Sequence, residues 1–285
     1  MIGSKGRLKV TGMRPQDAGH FRGARGYLRL AILTKNSWPM PGPEEDALMA
    51  EAWKAGWKHL KQHWESCGLT LSHEKFPPLG RPLVGLLRQR VQNFRKEVAA
   101  AATTLVPHFF VELESAKTPE ERRELALHLV NLPSAEYRFH HERIAAPGKK
   151  GQKGPFAHPI LAAVVKTAYF SSPKSIGFNE FVFDGSIPVE ACVLCLTAIA
   201  HAIRSYHSGV KTPSLNFTMA DYSESHANLR RSLVSAIEKG LTPHGTEFLT
   251  VMYKNIIATS GHQQALDAPQ RVDEYQEEEF SEVES

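Results

Sequence analysis

The sequence predicts an all-α protein, a single multi-helix domain of about seven to eight helices with flexible charged termini. Three observations lead to this prediction. Apolar residues recur every three or four positions in several long segments. Prolines and glycines stand between those segments, where helices begin and end. No alternating series is long enough for a substantial sheet, and short strands at 28–33 or 181–183 are the only extended alternatives.

The composition is that of an ordinary globular protein, with 42% hydrophobic and 22% charged residues among 285. The longest apolar runs fall short of the roughly 20 residues that a membrane-spanning helix requires. We expect no signal peptide, because 30–33 is too short an apolar core. Three cysteines do not make the disulfide framework of a secreted protein. The sequence therefore predicts an intracellular protein without membrane association, and it leaves nucleus or cytoplasm undecided.

The net charge of +4 hides an asymmetry between the two ends. Residues 1–36 contain eight lysines and arginines and one acid, whereas 267–285 contain eight acids and one arginine. We expect a basic flexible head over 1–36, a helical domain over 37–261 and an acidic disordered tail over 262–285. Such ends are either solvated or dock toward a charged partner or toward each other.

The first helix of the domain is predicted at 44–66, after a proline-rich entry. Pro43 and the acids that follow it suit a helix N-terminus. Five large apolar residues then recur at helical spacing, which predicts a face packed against the core: Met49, Trp53, Trp57, Leu60 and Trp64.

Further helix boundaries come from local signals. An amphipathic helix begins after Pro82 and is broken or kinked at Pro107. Thr118 and Glu121 form a capping box that opens a helix to about 132. A shorter helix is predicted at 135–144.

The segment 146–155 combines glycine, proline and lysine, which predicts an exposed loop. Helices are predicted after it at 158–170, 188–207, 219–239 and 244–260. The helix at 188–207 is apolar on all sides, so we expect it in the centre of the fold.

A resemblance to a known family rests on several blocks of the chain. They are Gly154-Pro-Phe-Ala-His-Pro-Ile160, Tyr169-Phe170, Phe183, Ile187-Pro188 and the helix end from Thr197 to Gly209. The segment 90–97 and the segment 217–229 look like flanking blocks. Over about 44–260 the chain resembles an uncharacterised fungal domain of unknown function, numbered six-five-three-two. The resemblance implies a helical domain in an intracellular fungal protein and assigns no activity, catalytic residue or cofactor.

Metal binding is the first candidate chemistry, and the alternative is a polar row beside the tryptophans. His59, His63 and Cys67 recur at intervals of four on one helix, and His73 lies a short loop away. Imidazoles and a thiolate are zinc ligands, but this spacing matches no established zinc motif. A second candidate, the C-x-x-C of Cys192 and Cys195, lies in an apolar helix, where core packing is favoured. We predict no metal and no cofactor.

A general acid/base set could be drawn from His158, Asp221, Tyr222 and His226. Tyr222 and His226 share a helix face. The alternative role for His158, before Pro159, is to accept backbone hydrogen bonds at a helix start. No established catalytic motif occurs.

Nucleic-acid contact is the remaining candidate. Five basic residues lie on and around the polar side of the helix after Pro82: Arg81, Arg88, Arg90, Arg95 and Lys96. Such a face would contact phosphates without reading sequence, and its alternative is a solvated helix surface.

The sequence does not define a biochemical activity. It favours a non-enzymatic helical interaction module with a protein partner as yet unknown. The alternatives are a nucleic-acid-associated protein that uses the basic helix face and an enzyme of unrecognised type.

Overall fold

The computed structural model describes residues 15–39, 42–67, 76–131, 136–141, 154–178, 183–212 and 216–261. Within these ranges the chain forms nine α-helices, eight of them with seven residues or more, which confirms the all-α prediction. They are α1 Pro15–Thr34, α2 Pro43–Ser66, α3 Arg81–Phe109, α4 Val111–Ser115, α5 Pro119–Leu129, α6 Ile160–Tyr169, α7 Val189–Arg204, α8 Met219–Glu238 and α9 Phe248–Ser260. A two-residue antiparallel pair joins β1, Val130–Asn131, to β2, Glu136–Tyr137.

The chain divides into two compact units at Phe94 and Arg95, inside α3. The first contains α1, α2 and the first half of α3. The second runs from Arg95 through α9.

Helix α1 corrects the prediction of a flexible head over 1–36. Phe21, Leu28 and Ile32 are spaced seven and four residues apart and are at most 2% exposed, so they form a buried helical stripe. This stripe, and not the basic charge of the segment, determines its structure. The strand alternative at 28–33 is also wrong, since these residues lie in α1. Residues 1–14 lie outside the described ranges.

In the first unit, α1 and α2 cross with their backbones in contact at Gly23 and Gly56. A Cβ atom added to Gly56 would lie 2.3 Å from the backbone nitrogen of Ala24. Beside the crossing, His20 Nε2 lies 2.8 Å from the carbonyl oxygen of Trp53, within hydrogen-bond distance. Only glycine leaves room for this approach.

The predicted helix at 44–66 is confirmed as α2. Met49, Trp53 and Leu60 are buried as expected, and the Trp53 indole donates to the carbonyl oxygen of Pro77 at 2.9 Å. Trp57 and Trp64, in contrast, are only half-buried. The predicted apolar face is therefore fully covered at three of its five positions.

In the second unit, α7 is the buried centre, as its all-round apolar sequence predicts. All but two of its 16 residues are buried, and α6 and α8 pack against it. Its polar residues are satisfied locally or by neighbours; Thr197, for example, donates to the carbonyl oxygen of Val193 at 2.8 Å.

Arg122 joins three backbone segments of the second unit. The capping box of Thr118 and Glu121 is present as predicted and starts α5. From the first turn of α5, the Arg122 guanidinium donates to the carbonyl oxygens of Leu113 at 2.6 Å and Gly209 at 3.0 Å. It also lies 3.3 Å from the carbonyl oxygen of Ala116. Arg122 thus ties the loop after α7 to the α4–α5 connection.

Two boundaries differ from the sequence predictions. The helix predicted to about 132 ends at Leu129, and a helix at 135–144 is wrong over the residues described there. Tyr137 is buried and pairs with Val130 in the short antiparallel pair. Most of the predicted loop at 146–155 and all of the tail at 262–285 lie outside the described ranges.

Among the helices the structure describes, none combines the length and the apolar character needed to cross a membrane.

The glycine crossing gives a stability prediction. Gly56→Ala should lower the free energy of unfolding by about 1–3 kcal/mol, because the added methyl group meets the backbone of α1. Gly85→Ala is the matched control, since a Cβ there meets nothing within 4 Å inside α3, and it should stabilise by about 0.5–1 kcal/mol. Urea unfolding measures both. Equal effects of the two substitutions would contradict the close crossing.

Candidate functional site

Among the described residues, those proposed for a metal do not come together as a metal site. His63 and Cys67 are exposed at the end of α2, and His59 packs edge-on against Tyr27 with ring centroids 6.3 Å apart. His73 lies outside the described ranges. Over the part of the chain that the structure describes, no group of three or more His, Cys, Asp or Glu residues could hold an ion.

Cys192 and Cys195 both lie in the interior of α7 and are fully buried. Burial raises the pKa of the Cys195 thiol to about 12. Such a thiol is a poor nucleophile at neutral pH, which fits its interpretation as a core residue.

The basic residues of α3 do not form a continuous phosphate-binding face. Arg88 Nε lies 2.7 Å from Glu45 Oε2, in an ion pair. Arg95 is 5% exposed, so its expected place on the polar surface is wrong. Arg81 and Lys96 are exposed and Arg90 is half-buried.

The four proposed acid/base residues separate into different environments. The His158 ring stacks on Phe110 with centroids 4.9 Å apart, and its Nδ1 accepts from the Ile160 amide at 3.3 Å. This is the helix-start role considered as the alternative. Asp221 accepts from the Thr218 hydroxyl at the start of α8. No contact between described residues joins His158 to Asp221, Tyr222 or His226.

The segment Gly154-Pro-Phe-Ala-His-Pro-Ile160 forms the turn before α6. Phe156 has a φ of 62°, an unusual value for a residue with a bulky side chain, and it is 2% exposed. Its ring stacks on His140 at 4.1 Å, and its amide donates to His140 Nδ1 at 3.2 Å. Burial lowers the pKa of His140 to about 3, so this imidazole is neutral and acts as an acceptor. The contacts of this segment, including those of His158, are therefore packing contacts and hydrogen bonds that hold the turn in place.

His226 belongs to a charged group at the other end of α7. Glu190, at the start of α7, is 4% exposed and accepts from Arg230 Nε at 2.5 Å. Burial lowers the pKa of His226 to about 4; Glu190 opposes this shift, whereas Arg95 and Arg230 add to it. The ion pair with Arg230 compensates the buried carboxylate of Glu190, which is a structural task.

Tyr222 instead meets residues that the sequence did not single out. Thr218 caps α8 by accepting from the Asp221 amide, which places Tyr222 in the first turn. Because α8 runs antiparallel to α7, this turn faces the end of α7. There the Tyr222 hydroxyl lies 2.9 Å from His201 Nδ1, and the Arg204 guanidinium carbon lies 5.4 Å from the centre of the Tyr222 ring.

The Arg204 cluster consists of Tyr137, His201, Arg204, His207 and Tyr222. Burial lowers the pKa of His201 to about 4, and the charge of Arg204 adds to this shift. Burial also lowers the pKa of His207 and raises that of Tyr137, and Arg204 acts on both. At neutral pH the two imidazoles and two phenols of the cluster are therefore neutral, and Arg204 is its one charged member.

Arg204 forms no ion pair with any described residue. Asp221 and Glu224 are acids that act on groups of the cluster, but neither forms an ion pair with Arg204, and the carboxylate of Asp221 accepts from the Thr218 hydroxyl at 2.5 Å. The Arg204 guanidinium thus has no carboxylate partner in the described part of the chain.

The sequence contained one signal for this cluster. His201 and Arg204 are three residues apart, so they share a face of α7. Tyr137, however, is 67 positions before Arg204, and no local pattern could bring it there.

These features define an all-α domain in which the buried helix α7 ends at the Arg204 cluster. The family model described as Domain of unknown function (DUF6532) matches residues 23–235, and the chain belongs to this family. The match begins within α1, earlier than the predicted start at 44, and ends within α8. No curated protein and no solved structure matches the chain.

The buried histidines predict a pH dependence. His226 has a folded-state pKa of about 4, below the value of about 6.5 in an unfolded chain. Its contribution to stability is therefore complete above about pH 6.5 and is lost as the pH falls toward 4, by about 1.4 kcal/mol per pH unit. His226→Gln should reduce the pH slope of unfolding free energy between these values. His63→Gln, on the exposed side of α2, is the control and should leave the slope unchanged.

Proposed function

We propose that this domain is a non-enzymatic interaction module that binds an anionic group of a protein partner at the Arg204 cluster. One observation carries the proposal: Arg204 is half-buried and oriented by an aromatic ring, without an ion pair to any described residue. A guanidinium withdrawn partly from water gains most from a carboxylate or a phosphate, with which it forms paired hydrogen bonds.

The neighbours of Arg204 suit recognition of such a group. The aromatic groups beside Arg204 are neutral at neutral pH and add no competing positive charge, because burial lowers the pKa of His201 and His207 and raises that of Tyr137 and Tyr222. The orientation of Arg204 over Tyr222 lowers the entropy that binding would otherwise cost.

The acid–base properties of the cluster support binding over catalysis. General acid/base groups work best with pKa values near the operating pH. The pKa of His201 is lowered to about 4, and burial raises that of Tyr222. The pKa of neither group is shifted toward neutral pH.

An intracellular setting is part of the proposal. The two cysteines of α7 are free thiols in the core, and Cys67 is a free thiol at the surface. Proteins in reducing compartments keep thiols in this form.

The test measures anion-dependent stability. Inorganic phosphate, and separately acetate, is added to the full chain, with sodium chloride at equal ionic strength as reference. A ligand at ten times its dissociation constant should raise the free energy of unfolding by about 1.4 kcal/mol. We expect phosphate, acetate or both to stabilise the wild type in this way, and Arg204→Gln to abolish the gain.

Arg231→Gln is the matched control, because Arg231 is exposed on α8 and its guanidinium contacts Asn228. This variant should keep the full gain. An equal anion-dependent gain in Arg204→Gln and in the wild type would refute the proposal.

A further inference from the structure

A second surface, in the first unit, combines lysines with aromatic rings. Lys54, Trp57 and Lys61 lie on one side of α2 at intervals of three and four residues, and Lys58 is adjacent. Phe76 packs edge-on against Trp57 with ring centroids 6.2 Å apart. We call these five residues the lysine–aromatic face.

The lysines of this face are available for an acidic partner. All three are exposed, and Lys54 and Lys58 form no ion pair with a described residue. Lys61 has a weak contact with Glu65, 3.7 Å apart and with both side chains about 60% exposed. Glu65 is the one acid among residues 54–66.

The two aromatic rings of the face are both partly exposed to solvent. Phe76 is 45% exposed, and Trp57 is half-buried against His20, whose ring centre lies 5.2 Å away. Large aromatic side chains that remain partly in water beside cations are common where peptides bind.

The same chain contains a segment of matching chemistry. Residues 273–284 carry seven acids and no lysine or arginine, and Tyr275 and Phe280 stand among the acids. Carboxylates at this density complement three lysines, and an aromatic residue between them can pack on Trp57 and Phe76.

We propose that the acidic segment 273–284 binds the lysine–aromatic face of its own chain. This contact goes beyond the proposed function, since it uses another surface. The connection 262–272 spans up to about 36 Å when extended, and tethering of this length gives effective concentrations of about millimolar. At that effective concentration, ion pairs that are individually weak are enough to keep the segment bound to the face. The bound segment shields the face from other polyanions.

The experiment is zero-length carbodiimide cross-linking of the dilute full chain, followed by mass spectrometry of the peptides. We expect intrachain links from Lys54, Lys58 and Lys61 to the acids 277–279. Because the contact is largely electrostatic and exposed, high salt should reduce the links about fivefold. Links spread evenly over the surface lysines would overturn the proposal, and so would links found only in covalent dimers.

Variants test the face and the segment separately. Lys54→Glu with Lys58→Glu should reduce the links that remain at Lys61. The control, Lys239→Glu with Lys254→Glu, alters two exposed lysines of the second unit and should leave them unchanged.

Fluorescence gives a readout independent of cross-linking. Reversing Glu277, Glu278 and Glu279 to lysine should increase acrylamide quenching of the tryptophans, and the increase should disappear when Trp57→Phe is added. A single-stranded oligonucleotide that binds the wild type and the charge-reversed variant equally well, with no segment links in either, would show that the face takes nucleic acid instead.

Discussion

The burial of α7 on all sides is the constraint on which the second unit depends. A helix in the core cannot leave its polar groups in water, so each must find a partner in the protein. Glu190 near its start finds Arg230, and His201 near its end finds Tyr222. Both partners lie on α8 and come in reverse order along it. Two polar contacts therefore fix the direction and the register of α8, which apolar packing alone would leave less specific.

The first unit reaches close packing by a different route. Where α1 meets α2, two glycines remove the side chains and let the backbones touch. The gain is dispersion contact along both helices, and the cost is the backbone entropy of glycine in a helix. His20 fits into the same contact because the Trp53 carbonyl faces it and burial lowers the pKa of its imidazole, which keeps it neutral.

Helix boundaries could be predicted because their signals are local. Pro43, the box of Thr118 with Glu121, and Gly261 with a φ of 73° each act within one turn of chain. Helix α1 was missed because its basic charge was given more weight than the spacing of its apolar residues. The pairing around Tyr137 was missed because a strand of two residues depends on tertiary contacts and leaves almost no pattern.

The candidate site could not be predicted for a related reason. The sequence identifies Tyr222 as a polar residue on a helix face, but its partner depends on which turn of α7 lies opposite. The register of α8 against α7 decides this, and the contact of Glu190 with Arg230, near the other end of α7, helps to set that register. The same register places Arg204 in the last turn of α7, half-buried, with its guanidinium over the ring of Tyr222. A helix interior satisfies its own backbone, whereas its last turn depends on other groups. The end of a buried helix is therefore where this fold can hold an arginine without an ion pair to a described residue and still keep its core covered.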